Sequence, residues 1–204
     1  MDQKYGEFIG VDNLYIAEIT EDSDDAYEAD TPEYLAPVAE IGGTPEVSNI
    51  TTYYDNKAAN NYVTEGKTEL KIVVANLPAE MMAMILGKDF NAGNGRVYDS
   101  GEPDPPDLAL GFRYNMGKSG YRYYWYYKGN FSGGVEEAIT KKESLEIKTY
   151  TLTFTAMSTQ YLFEVEYDDK ALKRVYADTA ETAFDETGWF EQVQTPESVG
   201  APSV

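Results

Sequence analysis

Carboxylates are the one chemically capable group this chain carries in quantity, and two arrangements of them invite a chemical reading. Asp22, Asp24, Glu28, Asp30 and Glu33 fall at positions 1, 3, 7, 9 and 12 of a loop, the spacing at which a calcium loop presents its oxygens. Ala26 and Tyr27 stand where a further ligand and the turn-forming glycine belong, so the match is weak. The plainer reading of the acids from Glu21 to Asp30 is a solvated loop. Glu164 and Glu166, spaced i and i+2, would share one face of a strand and suggest a glycosidase pair. Such pairs normally come from different elements at a set separation, however, and Glu136-Glu137 reflects only the abundance of acid. Gly93-Asn94-Gly95 has no following Gly-Lys-Ser/Thr and no strand-to-helix context, so it is no phosphate loop. Ser100, Ser119, Ser132 and Ser144 have no histidine to activate them, and none sits in a Gly-x-Ser-x-Gly elbow. With no His and no Cys in the chain, imidazole bases, thiolate nucleophiles, disulfides and zinc fingers are excluded. The residues predict a protein without catalysis, cofactor or metal.

The elements that position these groups read as mostly β. Strands are expected at Gly10–Ile19, Ala36–Ile41 (stopped by Gly42-Gly43), Val47–Tyr54 and Thr68–Ala75, with a polar connector over 55–63. In the last of these, Leu70, Ile72 and Val74 alternate with Glu69, Lys71 and Val73, the period of a sheet with one buried face. The segment 47–75 is thus a long hairpin whose tip projects. One helix is expected over 77–87, with Pro78 in its first turn, Gly87 as its left-handed stop and Leu77, Met81, Met84 and Ile85 as its apolar stripe. Asp89–Pro106 reads as a loop with a short strand at Arg96–Tyr98. Leu108–Met116 and Tyr121–Lys128 form a hairpin turned at Gly117–Gly120. Its second strand puts Tyr121, Tyr123, Trp125 and Tyr127 on one face and Arg122, Tyr124, Tyr126 and Lys128 on the other. Glu146–Met157 is the longest β run, followed by Tyr161–Tyr167 and Trp189–Val193, with a short helix between them in Ala171–Asp185. One domain is expected over 1–194, with an acidic loop at 20–35 and a flexible tail at 195–204.

Composition narrows the partners. The chain has 204 residues and a formal net charge of -20, with 36 acidic against 16 basic side chains. Proteins that grip nucleic acid supply cations to replace phosphate counterions, and this chain does the reverse. The acid is concentrated in residues 1–70 and 143–204, while 71–142 is close to neutral. The 18 tyrosines outnumber Phe and Trp together, which suits surfaces apolar at one end and wet at the other. Met1–Phe8 is too polar for a secretory signal, and no apolar run is long enough to span a membrane.

The chain carries an ordered series of blocks: Tyr53-Tyr54-Asp55-Asn56, Glu65-Gly66-Lys67-Thr68-Glu69-Leu70, Leu77-Pro78-Ala79-Glu80 with Ile85-Leu86-Gly87, and Leu108-Ala109-Leu110-Gly111-Phe112-Arg113. They continue through Tyr121–Phe131, Glu136, Glu137 and Lys141-Lys142 into the Thr-rich strand. This series resembles one family, the major tail proteins of long-tailed, non-contractile phages (the phi13-type branch), and the resemblance covers about residues 8–192. The acidic stretch at 21–33 departs from the pattern.

The resemblance implies a mainly β, tail-tube-type β-sandwich with one flanking α-helix and a long projecting hairpin. It further implies hexameric rings stacked around a tape measure protein, in a virion tail that meets tail terminator and distal tail proteins. Double-stranded DNA would pass through the lumen without specific binding, and the subunit would wait in the host cytoplasm before assembly. The ring-to-ring contact would fall on Tyr53, Tyr54, Asp55, Asn56, Asn60, Asn61 and Tyr62. Subunit packing would use Tyr123, Trp125, Tyr127 and Phe131. The rival reading from another class is a monomeric β-sandwich module that binds carbohydrate or calcium through an exposed aromatic groove or an ion cluster.

Overall fold

The computed structural model describes residues 6–135 and 149–198. Glu136, Glu137, Lys141, Lys142 and the start of the strand expected from Glu146 lie outside the described residues. The chain is mainly β, as its period-2 patterns predict. Its strands are β1 (Gly10–Asp22), β2 (Tyr27–Ala29), β3 (Glu33–Ala36), β4 (Val38–Tyr54) and β5 (Lys57–Val74), followed by helix α1 (Ala79–Ile85). After them come β6 (Asp89–Asn91), β7 (Arg96–Tyr98), β8 (Leu108–Asn115), β9 (Tyr121–Val135) and β10 (Tyr150–Met157). Three short strands close the series: β11 (Leu162–Val165), β12 (Asp168–Ala171) and β13 (Arg174–Asp178).

The large sheet is antiparallel and runs β2-β1-β8-β9-β10-β5-β4, with β3 added beside β1 and β13 beside β9. Because β3 passes directly through Pro37 into β4, the two ends of this order approach each other and the sheet folds over itself. The concave side encloses the main core. There Leu14 and Ile16 from β1, Leu70, Ile72 and Val74 from β5, and Leu108, Leu110 and Phe112 from β8 meet. Leu152, Phe154 and Ala156 from β10 complete it. Helix α1 docks through Ile85, with Leu77 and Leu86 beside it, and Gly87 ends it at φ +62° as a left-handed stop requires. This is the expected β-sandwich with one flanking helix.

A second, smaller core lies on the convex side of β1, β8 and β9. Ala17, Ala109, Tyr123, Trp125 and Tyr127 are covered there by Trp189 and Val193. The two aromatic faces of β9 are therefore both buried, each in a different core. Between Leu110 opposite Tyr126 and Leu108 opposite Gly129, β9 carries one extra residue. That bulge reverses the alternation, so Phe131 joins Tyr124 and Tyr126 in the main core rather than Tyr123 and Trp125 in the second.

Several sequence expectations change. The acidic stretch 20–35 is not a loop: β1 runs to Asp22, and β2 and β3 pair back onto it. Ala36–Ile41 and Val47–Tyr54 belong to one strand, since Gly42-Gly43 does not stop β4; a side chain at Gly43 would collide with Leu70. The polar connector at 55–63 shrinks to Asp55-Asn56, both at positive φ (51° and 60°), in a two-residue turn of the kind that matches strand twist. The loop 89–106 contains a small hairpin, β6–β7. Ala171–Asp185 holds β13 instead of a helix, because β9 offers it a free edge. Trp189–Val193 is a series of turns, not a strand: Gly188 sits at φ +71°, and Trp189 and Glu191 donate to carbonyls three residues back. Tyr161–Tyr167 turns at Glu166 (φ 60°), so Glu164 and Glu166 do not share a strand face.

Candidate assembly interface

Among the described residues, no third strand pairs with β4 beyond Pro45 or with β5 beyond Thr68. Thr68 is the last residue of β5 paired with β10, opposite Ala156, and Pro45 is its partner on β4. From there to the Asp55-Asn56 turn the chain is a free two-stranded ribbon. Its root carries a bulge, because Pro45 pairs with Thr68 but Val47 pairs with Glu65. A second irregularity follows Thr52, which pairs with Asn60 while Tyr53 pairs with Ala58.

The pairing sorts the ribbon's side chains. One face presents Ile50 opposite Tyr62, Thr52 opposite Asn60, and Tyr54 opposite Lys57. The other presents Val47 opposite Glu65, Asn49 opposite Val63, Thr51 opposite Asn61, and Tyr53 opposite Ala58. The seven residues expected at the ring-to-ring contact thus all lie on the ribbon but do not form one patch. Tyr54, Asn60 and Tyr62 share a face, Tyr53 and Asn61 share the reverse, and Asp55-Asn56 form the tip. Val47, Ile50, Tyr53, Tyr54, Tyr62 and Val63 are 50–68% exposed, which places three large apolar side chains bare on each face. Val47, Ile50 and Val63 were missed from sequence, although their alternation within the ribbon strands would have exposed them once the connector was read as a two-residue turn.

The root is fixed from the body. Lys173 lies just before β13, and its carbonyl accepts a hydrogen bond from the Tyr127 N–H of β9 at 3.0 Å. Its Nζ donates to the Glu65 carboxylate (2.8 Å), to the Gly66 carbonyl (2.6 Å) and to Thr68 Oγ1 (3.3 Å). The hydrogen bond from Lys173 holds the Glu65 carboxyl below the ordinary carboxylate range, more than offsetting its slight desolvation.

The aromatic residues expected at subunit packing surfaces lie elsewhere. Trp125 and Tyr127 have no exposed surface, Phe131 has 1% and Tyr123 has 4%. Trp125 Nε1 donates to the Trp189 carbonyl, and the Tyr127 hydroxyl to the Gln194 carbonyl. Tyr123 is bound by Arg113 and in turn donates to Glu186. These four side chains hold the chain's own C-terminal segment and cores together, so they are not contact surface for another subunit. The same burial removes the aromatic groove that a carbohydrate module would need on this strand.

The acidic stretch resolves as a structural lock. Asp22, with only 3% of its side chain exposed, accepts from Lys128 Nζ (2.8 Å) and from the backbone N–H groups of Gln160 and Tyr161. Lys128 also reaches Asp107 at 3.3 Å. Burial alone would raise the Asp22 pKa, yet the Lys128 ammonium and the two N–H donors outweigh it and hold the carboxyl below its ordinary value. The Lys128 pKa is likewise raised by its two carboxylates against the opposing effect of burial. The group at the first position of the supposed calcium loop is therefore spent on a lysine. Among the described residues no three or more acidic side chains are grouped so that they could hold a metal ion.

A family model described as phage tail tube protein matches residues 36–197. The chain belongs to the phage tail tube protein family. No curated protein matches it. The match opens at Ala36, after the acidic stretch, and takes in the ribbon, the helix, both aromatic faces of β9 and the segment covering the second core. As a tail tube protein, this chain is a structural subunit that self-assembles into the tube of the virion tail, and the family's role is not enzymatic. Among the described residues no helix is long and apolar enough to cross a membrane.

Proposed function

We propose that this tail tube protein polymerises as stacked hexameric rings and that the ribbon, with Tyr53, Tyr54, Asp55, Asn56, Asn60, Asn61 and Tyr62, forms the ring-to-ring contact. The observation that carries the reading is the bareness of both ribbon faces. A two-stranded hairpin standing alone is marginal in water, and exposed aromatic and β-branched side chains on both sides make it worse. Burial in an adjacent ring supplies the missing neighbours. It also covers strand edges that would otherwise invite uncontrolled pairing.

The convex face of β4, β5 and β10 suits the wall of a water-filled channel. It presents Glu40, Gly42, Thr44, Glu69, Lys71, Thr151 and Thr153, all polar or small, and the segment that covers the second core does not reach it. On this wall Lys71 is outnumbered by Glu40 and Glu69, and with a chain net charge of -20 it gives double-stranded DNA little cationic footing, so the duplex passes without specific binding. A tape measure protein would fill the lumen before DNA, terminator and distal tail proteins would close the two ends, and subunits would accumulate in the host cytoplasm until assembly.

Electron microscopy of the purified protein at increasing concentration tests the central claim. Rings with six subunits and tubes built from them are the expected images. Monomers alone, at every salt concentration tried, would overturn it.

A further inference from the structure

The ribbon meets its neighbours as a rigid prong only if something fixes its angle, because among the described residues neither sheet pairing with the body nor core packing reaches past Thr68. Three observations converge on one side chain. The ribbon root is bulged, and a bulge bends and twists the strand that carries it. The Gly66 carbonyl within that bulge is bound by Lys173 Nζ, which also spans Glu65 on the ribbon side and Thr68 on the body side. All three donors of the ammonium are thereby used, with only 12% of the side chain exposed. The frame on which Lys173 stands is rigid: its own carbonyl is bound to β9, and the Leu172 N–H and carbonyl are held by Thr159.

We propose that Lys173 is a latch that sets the direction of the ribbon, a positioning residue for assembly that touches no neighbouring subunit itself. The neighbouring ion pair at the root does not replace it. Lys67 and Glu69 are both about half exposed, and a pair of that kind is screened and contributes little. Lys173 differs because it joins separate parts of the chain: its bond to Glu65 spans 108 positions in sequence. It therefore ties the ribbon to the stretch entering β13, where Leu172 and Val175 pack against the second core, and the prong's direction depends on that stretch being in place.

The importance of the direction rests on the ribbon being the ring-to-ring contact, whereas the latch itself is measurable without any assembly. The chain has no cysteine, so spin labels placed at A59C on the ribbon and K118C on the body report a single distance in dilute, unassembled protein. With Lys173 present a narrow distribution is expected. K173M keeps the apolar stem and removes the three donors, and the distribution should broaden about twofold or more, while far-ultraviolet circular dichroism stays unchanged. An unchanged width overturns the latch. Should K173M fail to fold, Glu65→Ala removes the ribbon-side arm alone and should give a smaller broadening; no broadening there also overturns it. Tube formation by the same variants then reads the second half of the idea. A broadened ribbon whose protein still assembles at the native concentration would leave the latch standing and sink the ring-to-ring reading.

Discussion

Two tyrosine-rich stretches of this chain, the ribbon and strand β9, meet opposite fates. In the ribbon Tyr53, Tyr54 and Tyr62 are 58–68% exposed, while Tyr123, Tyr124, Tyr126 and Tyr127 of β9 are at most 8% exposed. Residue type does not separate them. What differs is the number of neighbours the sheet provides. Strand β9 is paired on both edges, by β8 on one side and by β13 and then β10 on the other, and a core lies on each of its faces. Among the described residues, the ribbon has one paired edge per strand and no core on either face. Aromatic content therefore marks surface that needs covering, and topology decides whether the chain or a second molecule covers it.

The contrast can be attacked first where the chain covers itself. Trp125→Ala empties the centre of the second core and removes the hydrogen bond to the Trp189 carbonyl. It should cost about 3–5 kcal/mol in equilibrium denaturation, the usual range for a fully buried large aromatic. A cost near zero would mean that the C-terminal segment does not close this face in solution. The residues of β9 would then be open to another subunit after all.

Next in size is the lock that brings the acidic stretch against the body. Lys128→Met leaves the buried Asp22 carboxylate without its cation, and stability should fall by about 3 kcal/mol or more at neutral pH. The same pair sets an acid limit. Because the Asp22 pKa is depressed in the folded protein, its contribution is present above the ordinary carboxylate pKa and is lost as pH falls through the folded value. Denaturation midpoints of the native protein and Asp22→Asn should therefore converge between about pH 5 and pH 2. A gap that stays constant over that range would show that the carboxylate's charge is not what Lys128 and the two N–H groups hold.

The alternation of Leu70, Ile72 and Val74, that of Leu152, Phe154 and Ala156, and the proline start and glycine stop of the helix were all legible in the sequence. Each depends on neighbours within a few positions. What stayed hidden depends on partners far along the chain. Asp22 reads as solvated acid because its cation lies 106 positions away. Phe131 reads as continuing the Tyr123 face because nothing local announces the bulge opposite Leu108 and Leu110. Trp189 and Val193 look like strand residues because they are apolar, although they bury themselves from a run of turns. For the ribbon, the blocks at its tip were visible and its location was right. Its two-residue turn was obscured by the Asn-rich run that follows, and with it the register that puts Asn60 and Tyr62 on the face of Tyr54 and Asn61 on the face of Tyr53. Nothing near Lys173 in sequence points to Gly66.

A subtler test of the buried side uses Gly111, which faces Trp125 across the β8–β9 pair. A Cβ at that position would sit 2.7 Å from the indole ring, so Gly111→Ala must push Trp125 out of its seat. The expected loss is about 1–3 kcal/mol, with a red shift of tryptophan emission as the second core opens. A neutral effect would mean that the ring can slide, and that the second core is looser than its burial implies.

The smallest effect on stability belongs to the ribbon, and it is the one that separates the two regions most sharply. Tyr54→Ser with Tyr62→Ser strips one face, and Tyr53→Ser with Val63→Ser strips the other. All four side chains are already more than half exposed, so each pair should leave the unfolding midpoint within about 0.5 kcal/mol of the native protein. Assembly should respond in the reverse order of stability, with tubes lost in both pairs. If only one face matters, the ribbon lies flat on a single neighbour. If both matter, it is wedged between surfaces, which is what three bare apolar side chains on each face require. If neither pair changes the tubes, the exposed aromatics of the ribbon are not assembly surface, and the contrast with β9 would no longer distinguish self-covered from partner-covered residues.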